Sequence, residues 1–172
     1  MNQGANQVPI EAKTFDAAAF RHLIGHFPSG VTVIAVAEDD NQFGATASAF
    51  CSLSLEPPMV LVCLHSAIET ARAIARVRRF AISILGEQQT DMALRFAAKT
   101  PRKFDGVSNI DTIGGHPIIA DSVAQLHCEV EEITSGGTHS VFLSRVLSAR
   151  LSSEAPLAYF RGGFGRFVSH SP

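Results

Sequence analysis

The sequence predicts a mainly β fold, an antiparallel barrel with peripheral helices. Short apolar runs bounded by Gly, Pro, Asn or Asp recur along the chain, which is typical of strands joined by turns. The segment Ala124–Glu131 alternates apolar and polar side chains, which is the period of a half-buried antiparallel strand. Helical periodicity is confined to short connecting segments, so we expect the helices to lie outside the barrel.

The first elements are predicted in the order helix, strand, turn and strand. Apolar side chains at helical spacing run from Phe20 to Phe27, and Pro28 is expected to end this helix. A strand over Val31–Ala37 then leads into a polar turn at residues 38–41.

The next segment, Gly44–Leu64, is predicted to form one hairpin. Its first half is a run of small and hydroxyl residues. Pro57 and Pro58 cannot lie inside a central ladder, so they mark the start of an apolar strand over Met59–Leu64.

The rest of the chain alternates helices and strands around one surface loop at Lys99–Gly106. Helices are predicted over Glu69–Val77 and Thr90–Ala98, and strands over Phe80–Leu85, Ala124–Glu131, Ser140–Leu151 and Leu157–Phe160.

Length and composition are those of a single compact domain. The chain has 172 residues, is 46% hydrophobic and has a mean hydropathy of +0.17. Residues 1–13 lack any hydrophobic period and are expected to form a flexible arm before a domain over residues 14–170. The net charge of −2 argues against nucleic acid or an acidic membrane surface as a partner.

The sequence also favours a cytoplasmic location. No run reaches the roughly 18 apolar residues that span a bilayer, and the N-terminus does not resemble a signal peptide. The three cysteines, Cys51, Cys63 and Cys128, are odd in number and lie in apolar strand patterns. We therefore expect buried thiols, with neither a disulfide nor a metal site.

The small-residue stretch that follows Gly44 favours binding of a flat ligand with a polar edge. Small side chains let a ring approach the main chain, whose N–H groups then bind its heteroatoms. The alternative is a Ser/Thr/Ala-rich strand with no ligand. The chain contains no nucleophile elbow, HExxH, CxxC or GxGxxG motif.

Several motifs, taken in order, resemble the flavin reductase family. They cover about residues 20–167 and comprise Phe27-Pro28-Ser29-Gly30-Val31-Thr32-Val33, the segment Gly44–Thr70, Arg95-Phe96-Ala97, Lys103-Phe104-Asp105-Gly106, Gly137-Thr138-His139 and Pro156-Leu157-Ala158-Tyr159-Phe160-Arg161-Gly162. The resemblance implies a six-stranded FMN-binding split β-barrel. It also implies an NAD(P)H:flavin oxidoreductase that supplies reduced flavin to a separate monooxygenase, and a homodimer.

The resemblance also implies a set of cofactor-binding residues. The isoalloxazine edge and ribityl chain are expected at Thr46, Ala47, Ser48 and Ala49, and the ring above Cys63, Leu64 and His65. The flavin phosphate is expected near Ser66 and Thr70, at the start of a helix, and the distal part of the flavin near Arg95, Lys103 and Phe104. Alternatively, Ser66 is a helix N-cap, and the last three residues are solvated charges and a loop anchor.

His139 is the expected catalytic residue, beside the nicotinamide and the flavin. The family motif is Gly-Asp-His, whereas this chain has Thr138 before the histidine, which leaves the choice between NADH and NADPH open. The imidazole is expected to donate a hydrogen bond or to shuttle a proton. Phe164 is expected to stack near the substrate where the family often has tyrosine. The cluster of arginines at residues 72–79 is expected to be a solvated helix face.

Two other functions fit the sequence less well. One is a flavin-binding electron-transfer or storage protein without reductase turnover, and the other is a barrel that binds an apolar ligand. FMN is favoured mildly over FAD, because the chain has no recognisable adenine-binding motif.

Overall fold

The computed structural model describes residues 16–168 and 170, so the predicted arm over residues 1–13 lies outside the described part of the chain. The helices are α1 (Ala17–Ile24), α2 (Glu69–Val77) and α3 (Thr90–Ala97). The strands are β1 (Ser29–Gly30), β2 (Thr32–Glu38), β3 (Asn41–Ala47), β4 (Phe50–Ser54), β5 (Met59–His65), β6 (Arg79–Ile84), β7 (Ile110–Ile113), β8 (His116–Ile119), β9 (Ala124–Gly136), β10 (His139–Leu151), β11 (Leu157–Phe160) and β12 (Gly163–Arg166).

Seven strands form the main antiparallel sheet, in the order β3-β2-β6-β9-β10-β5-β4. The two edge strands are consecutive in the chain and are separated only by Ser48 and Ala49. If β3 and β4 are counted as two halves of one interrupted strand, the sheet becomes a cycle of six strands with a split. The predicted fold class is therefore confirmed.

The interruption differs from the single hairpin expected over Gly44–Leu64. The start of that segment belongs to β3, which pairs with β2, and only β4 and β5 form a hairpin with each other. The switch occurs at Ser48 and Ala49, and the Cys63 N–H donates to the Ala49 carbonyl at 3.0 Å. The two residues between the edge strands thus present their backbone beside the opening of the sheet.

The interior of the sheet packs against α2. This helix has one apolar face, through which Ala71, Ala73 and Ile74 enter a cluster with Phe80 and Phe142. A second apolar cluster forms where α3 meets β11 and β12. Together the two clusters fix α2 and α3 on opposite faces of β2 and β3.

The first helix is shifted towards the N-terminus relative to its predicted position. Asp16 caps it by accepting a hydrogen bond from the Ala19 N–H at 2.6 Å. The helix buries none of its residues, and the side chain of Phe27, which follows it, is 74% exposed. The apolar pattern therefore gives a helix whose apolar face is not packed within a single chain.

Two small antiparallel sheets escape the sequence pattern. The hairpin β7–β8 turns at Gly114 and Gly115 and packs against the outer face of β2 and β6. The strands β1, β11 and β12 form a small separate sheet. Apart from β11, which was predicted over Leu157–Phe160, these strands of two to four residues are too short for a clear period.

Among the described residues, no helix combines the length and the apolar character needed to cross a lipid bilayer.

Candidate functional site

A cavity of about 1300 Å³ opens at the split of the sheet. Its walls are the β3–β4 junction, the end of β5, the first turn of α2, and the loop that follows α3. Most of the predicted cofactor residues line it, together with the predicted catalytic histidine: Thr46, Ala47, Ser48, Ala49, Cys63, Leu64, His65, Thr70, Lys103, Phe104 and His139.

Three predicted residues lie away from the cavity wall. The Ser66 hydroxyl lies 3.0 Å from the Ser140 hydroxyl, and Ser66 is not the α2 N-cap, which is Ile68. Arg95 faces a smaller neighbouring pocket. Phe164 packs against Tyr159, with ring centroids 5.5 Å apart, in the second apolar cluster.

The small-residue wall combines open backbone with fixed side chains. The Thr46 hydroxyl donates to the Ala93 carbonyl of α3 at 2.7 Å, so it serves to hold the strand. Ser48 and Ala49 are exposed, and the Ser48 hydroxyl has no protein partner within the described ranges. A planar ligand can therefore approach the main chain at this junction and find a free hydroxyl beside it.

The loop over residues 98–106 is fastened to the split by Lys103. Its ammonium donates to the Gly44 carbonyl at 3.1 Å and to the Phe96 carbonyl at 2.7 Å. Burial lowers the pKa of this lysine. The ring of Phe104 meets Phe96 edge-on, with centroids 4.8 Å apart. Lys103 thus forms part of the wall, and its ammonium binds backbone carbonyls of the protein.

Arg95 holds the same loop from behind. Its Nε donates to the Lys103 carbonyl at 2.6 Å and its Nη2 donates to the Asp105 carbonyl. The guanidinium fork binds two loop carbonyls at once, which a single-point donor cannot do. Arg95 therefore positions the cavity wall without contributing to its surface.

The first turn of α2 is an anion-binding feature of the cavity. Its N-cap, Ile68, makes no side-chain cap hydrogen bond. The Ala71 N–H donates to the Ile68 carbonyl at 3.1 Å, but the N–H groups of Glu69 and Thr70 have no acceptor among the described residues. Thr70 is buried at this turn, and Glu69 forms an ion pair with Arg72 at 2.5 Å. Uncapped N–H groups at a helix start suit a phosphate.

Two histidines stand side by side on the β5–β10 wall. His65 and His139 are direct partners in the antiparallel pairing, and their ring centroids are 5.3 Å apart at an angle of 64°. The Ala67 N–H donates to His65 Nδ1 at 3.1 Å, and the Thr138 hydroxyl lies 3.1 Å from His139 Nδ1.

The cysteines are all free, but only Cys128 is buried. Cys63 is half-buried and Cys51 is exposed, so the expectation of a buried thiol was wrong for Cys51. Burial, with a smaller contribution from Cys51, raises the pKa of Cys63 at the cavity wall, and burial raises that of Cys128 to about 12. Among residues 16–168 and 170, no three His, Cys, Asp or Glu side chains are grouped as metal ligands.

Sequence reasoning missed part of the cavity. The additional lining residues are Asp40–Phe43, Ala67–Glu69 and Phe96–Arg102. The polar turn before β3 and the basic loop after α3 were both visible as turn signals, but nothing local in the sequence indicates that they meet across the split.

Comparison with known proteins agrees with this geometry. A family model described as a flavin reductase like domain matches residues 24–167. The reductase component of a 4-nitrophenol 4-monooxygenase/4-nitrocatechol 2-monooxygenase from Rhodococcus opacus is 44% identical over 155 residues, covering 90% of this chain and 83% of that protein. An NADH-dependent FAD reductase from Streptomyces globisporus is 34% identical, covering 89% of this chain and 87% of that protein.

Solved structures give the same assignment. The Streptomyces globisporus C-1027 NADH:FAD oxidoreductase SgcE6, in complex with NAD and FAD fragments, superposes with a TM-score of 0.89 at 31% identity, covering 96% of this chain and 100% of that one. The flavin reductase PheA2 superposes with a TM-score of 0.83 at 30% identity, covering 90% and 100%. The resemblance seen in the motifs is confirmed, and the chain belongs to the flavin reductase-like family.

Proposed function

We propose that this protein is an NAD(P)H-dependent flavin reductase, the component that supplies reduced flavin to a separate monooxygenase. The observation that carries the proposal is the cavity at the split, where a small-residue wall and an uncapped helix start face the same space. Relatives named as reductase components of two-component monooxygenases support the role of the reduced flavin.

The residues of the cavity fit a flavin. Ser48 and Ala49 leave room for a ring against the main chain, and the first turn of α2 leaves N–H groups for a phosphate. Thr46, Ala47, Cys63, Leu64, Thr70, Lys103 and Phe104 complete the proposed flavin surface. FMN and FAD both remain candidates, as do NADH and NADPH.

The protein's own contribution is binding and orientation. A bound flavin and nicotinamide supply the hydride chemistry themselves. The β3–β4 junction fixes one ring by its backbone, and Arg95 and Lys103 keep the loop over residues 98–106 in place around it. His139, at the start of β10, is the proposed group beside the reacting rings, where it can donate a hydrogen bond or move a proton.

The protein is further proposed to be a cytoplasmic homodimer. The free thiols suit a reducing compartment. Leu23 and Ile24 of α1, together with Phe27, are 47 to 74% exposed, and Phe160 next to this helix is 46% exposed. A second copy would cover this apolar surface. Light scattering of the full chain measures the oligomeric state.

A steady-state assay tests the activity. NADH and NADPH are each combined with FMN, FAD and riboflavin, and oxidation of the nicotinamide is followed by absorbance. We expect flavin-dependent oxidation of at least one donor. Flavin binding without turnover would instead identify an electron-transfer or storage protein, and absence of flavin binding would contradict the flavin site itself.

A substitution at the junction tests where the flavin binds. Ala49→Leu should abolish flavin binding, because added methylenes fill the space that a ring would occupy against the main chain. Ala75→Leu, on the exposed face of α2, is the matched control. Isothermal titration with flavin measures both variants, and circular dichroism checks their folding. Wild-type affinity in a folded Ala49→Leu variant would place the flavin elsewhere.

A further inference from the structure

The histidine pair on the β5–β10 wall has two ring nitrogens without protein partners. The Ala67 N–H is hydrogen-bonded to His65 Nδ1, and the Thr138 hydroxyl is hydrogen-bonded to His139 Nδ1. Neither Nε2 atom has a partner within the described part of the chain. Both side chains are exposed, and both line the cavity. The two rings therefore present their Nε2 edges to the space in which a ligand binds.

The backbone fixes the chemical character of His65. Because the Ala67 N–H donates to its Nδ1, that nitrogen must carry a lone pair, and the proton of the neutral ring is on Nε2. His65 is then a hydrogen-bond donor towards the cavity. The Thr138 hydroxyl can donate to His139 Nδ1 in the same way, which gives a second donor on the neighbouring strand.

Two of the cations near the split are bound to backbone carbonyls of the protein itself. The Lys103 ammonium is bound to two carbonyls, and Arg95 holds the loop from outside the cavity. Lys99 and Arg102 line the cavity, but they are carried by the loop after α3 rather than by the β5–β10 wall. On that wall, the histidine pair supplies the side-chain N–H donors.

We propose that His65 binds a phosphate oxygen of the nicotinamide dinucleotide and so acts as a binding residue for the hydride donor. This inference rests on the proposed reductase function. The His65 Nε2–H donor, which has no acceptor among the described residues, suits a phosphate oxygen. The flavin phosphate has its own proposed place at the first turn of α2.

Two hydride donors separate this role from general support of the site. NADH carries the diphosphate, whereas 1-benzyl-1,4-dihydronicotinamide carries the same reactive ring without any phosphate. His65→Phe keeps a ring against His139 but removes the N–H. We expect the KM for NADH to rise about tenfold, as for loss of a hydrogen bond to a charged group, with little change for the benzyl compound.

Matched variants complete the experiment. His65→Gln, whose amide nitrogen reaches about as far as Nε2, should restore most of the affinity for NADH. His26→Phe, which follows α1 and does not line the cavity, controls for an exposed histidine elsewhere on the protein. His65→Asn, which is too short to place a donor at Nε2, should behave as His65→Phe does and serves if the aromatic variant does not fold.

The KM values and the flavin affinity of His65→Phe decide whether His65 binds the hydride donor. An equal rise in KM for both donors, or an unchanged KM for NADH, would overturn the proposal. A fall in flavin affinity in His65→Phe, measured by titration without NADH, would also overturn it and assign the residue to the flavin. Failure of the reductase proposal is a separate outcome, because it would appear as absence of turnover in the wild-type protein.

Discussion

At the residue scale, Gly44 sets how closely three parts of the site approach one another. A Cβ atom at this position would lie 2.7 Å from the Phe96 ring and 3.0 Å from the Phe104 ring. The carbonyl of the same residue accepts the Lys103 ammonium. The edge strand, α3 and the loop over residues 98–106 therefore meet at a position that only glycine fits.

Gly44→Ala should destabilise the protein by about 1–3 kcal/mol, because the added methyl overpacks against two aromatic rings. Flavin affinity should fall as well, since the rings can move only by displacing the cavity wall. Urea denaturation and flavin titration measure the two effects. Gly30→Ala is the control, because a Cβ there has no neighbour within 4 Å. Equal stability of the two variants would contradict this account.

The sequence predicts which residues reach the cavity better than it predicts what they do there. The small side chains of Ser48 and Ala49 indicate a ligand because they bring backbone within reach. The sequence allows Lys103 to contact the distal part of the flavin or to be a solvated charge, whereas its hydrogen bonds to two distant carbonyls depend on how α3 and β3 pack. A hydrogen bond between a lysine and distant carbonyls depends on tertiary packing, and the local sequence does not indicate it.

At the element scale, the loop over residues 98–106 owes its position to one helix. Arg95 is fixed on α3, and its fork reaches two carbonyls of this loop. The loop has no ladder of its own, so its order depends on these side-chain bonds and on the Phe104 contact. A ligand enclosed by the loop therefore depends on a residue that does not touch it.

Arg95→Leu should weaken flavin binding about tenfold or more, because two charge-assisted hydrogen bonds to the loop are lost. Amide hydrogen exchange should accelerate in residues 98–106 and stay unchanged in β9. Arg95→Lys retains the charge without the fork, so it should behave nearly as the leucine variant does. Full recovery with lysine would mean that the charge alone matters.

Most of the predicted elements lie within one residue of their observed bounds, but β9 continues to Gly136, five residues beyond the predicted end at Glu131. The helix α2 and the strands β5 and β6 lie within one residue of their predicted bounds, because their apolar periods run over a full face. The hairpin β7–β8 was missed, although Gly114 and Gly115 between apolar runs are a turn signal. The pairing of β3 and β4 with different strands is set by closure of the sheet, which no local period encodes.

At the scale of the whole molecule, the hairpin β7–β8 places a histidine pair on the outer face of the sheet. The ring of His127 occupies the space beside Gly114, and the ring centroids of His116 and His127 are 5.7 Å apart. His116 Nδ1 accepts the Ala37 N–H at 3.1 Å, and His127 Nε2 is buried without a partner in the described ranges. This packing requires uncharged rings.

Burial is the main cause that lowers the pKa of both histidines. The positive charges of His127 and Arg79 lower the pKa of His116 further. Arg79 also lowers the pKa of His127, and Glu129 partly opposes this effect. The unfolded chain takes up protons near pH 6.5, before the folded state does. The stabilising contribution of the two uncharged histidines should therefore be complete above about pH 6.5, and the free energy of unfolding should fall as the pH drops below it.

Chemical denaturation between pH 5 and pH 8 measures this dependence. His116→Gln should flatten the slope by up to about 1.4 kcal/mol per pH unit, the value for one proton. Identical slopes in the wild type and the variant would show that His116 does not contribute to the pH dependence.

The split in the sheet also has a consequence for self-association. A strand edge carries backbone groups that can template pairing with another chain, and this sheet has two edges only two residues apart. On one of them, Lys103 covers the Gly44 carbonyl from the side. The loop over residues 98–106 therefore also protects this edge from pairing with a strand of another chain. A substitution that releases the loop should expose an aggregation-prone edge as well as the binding site.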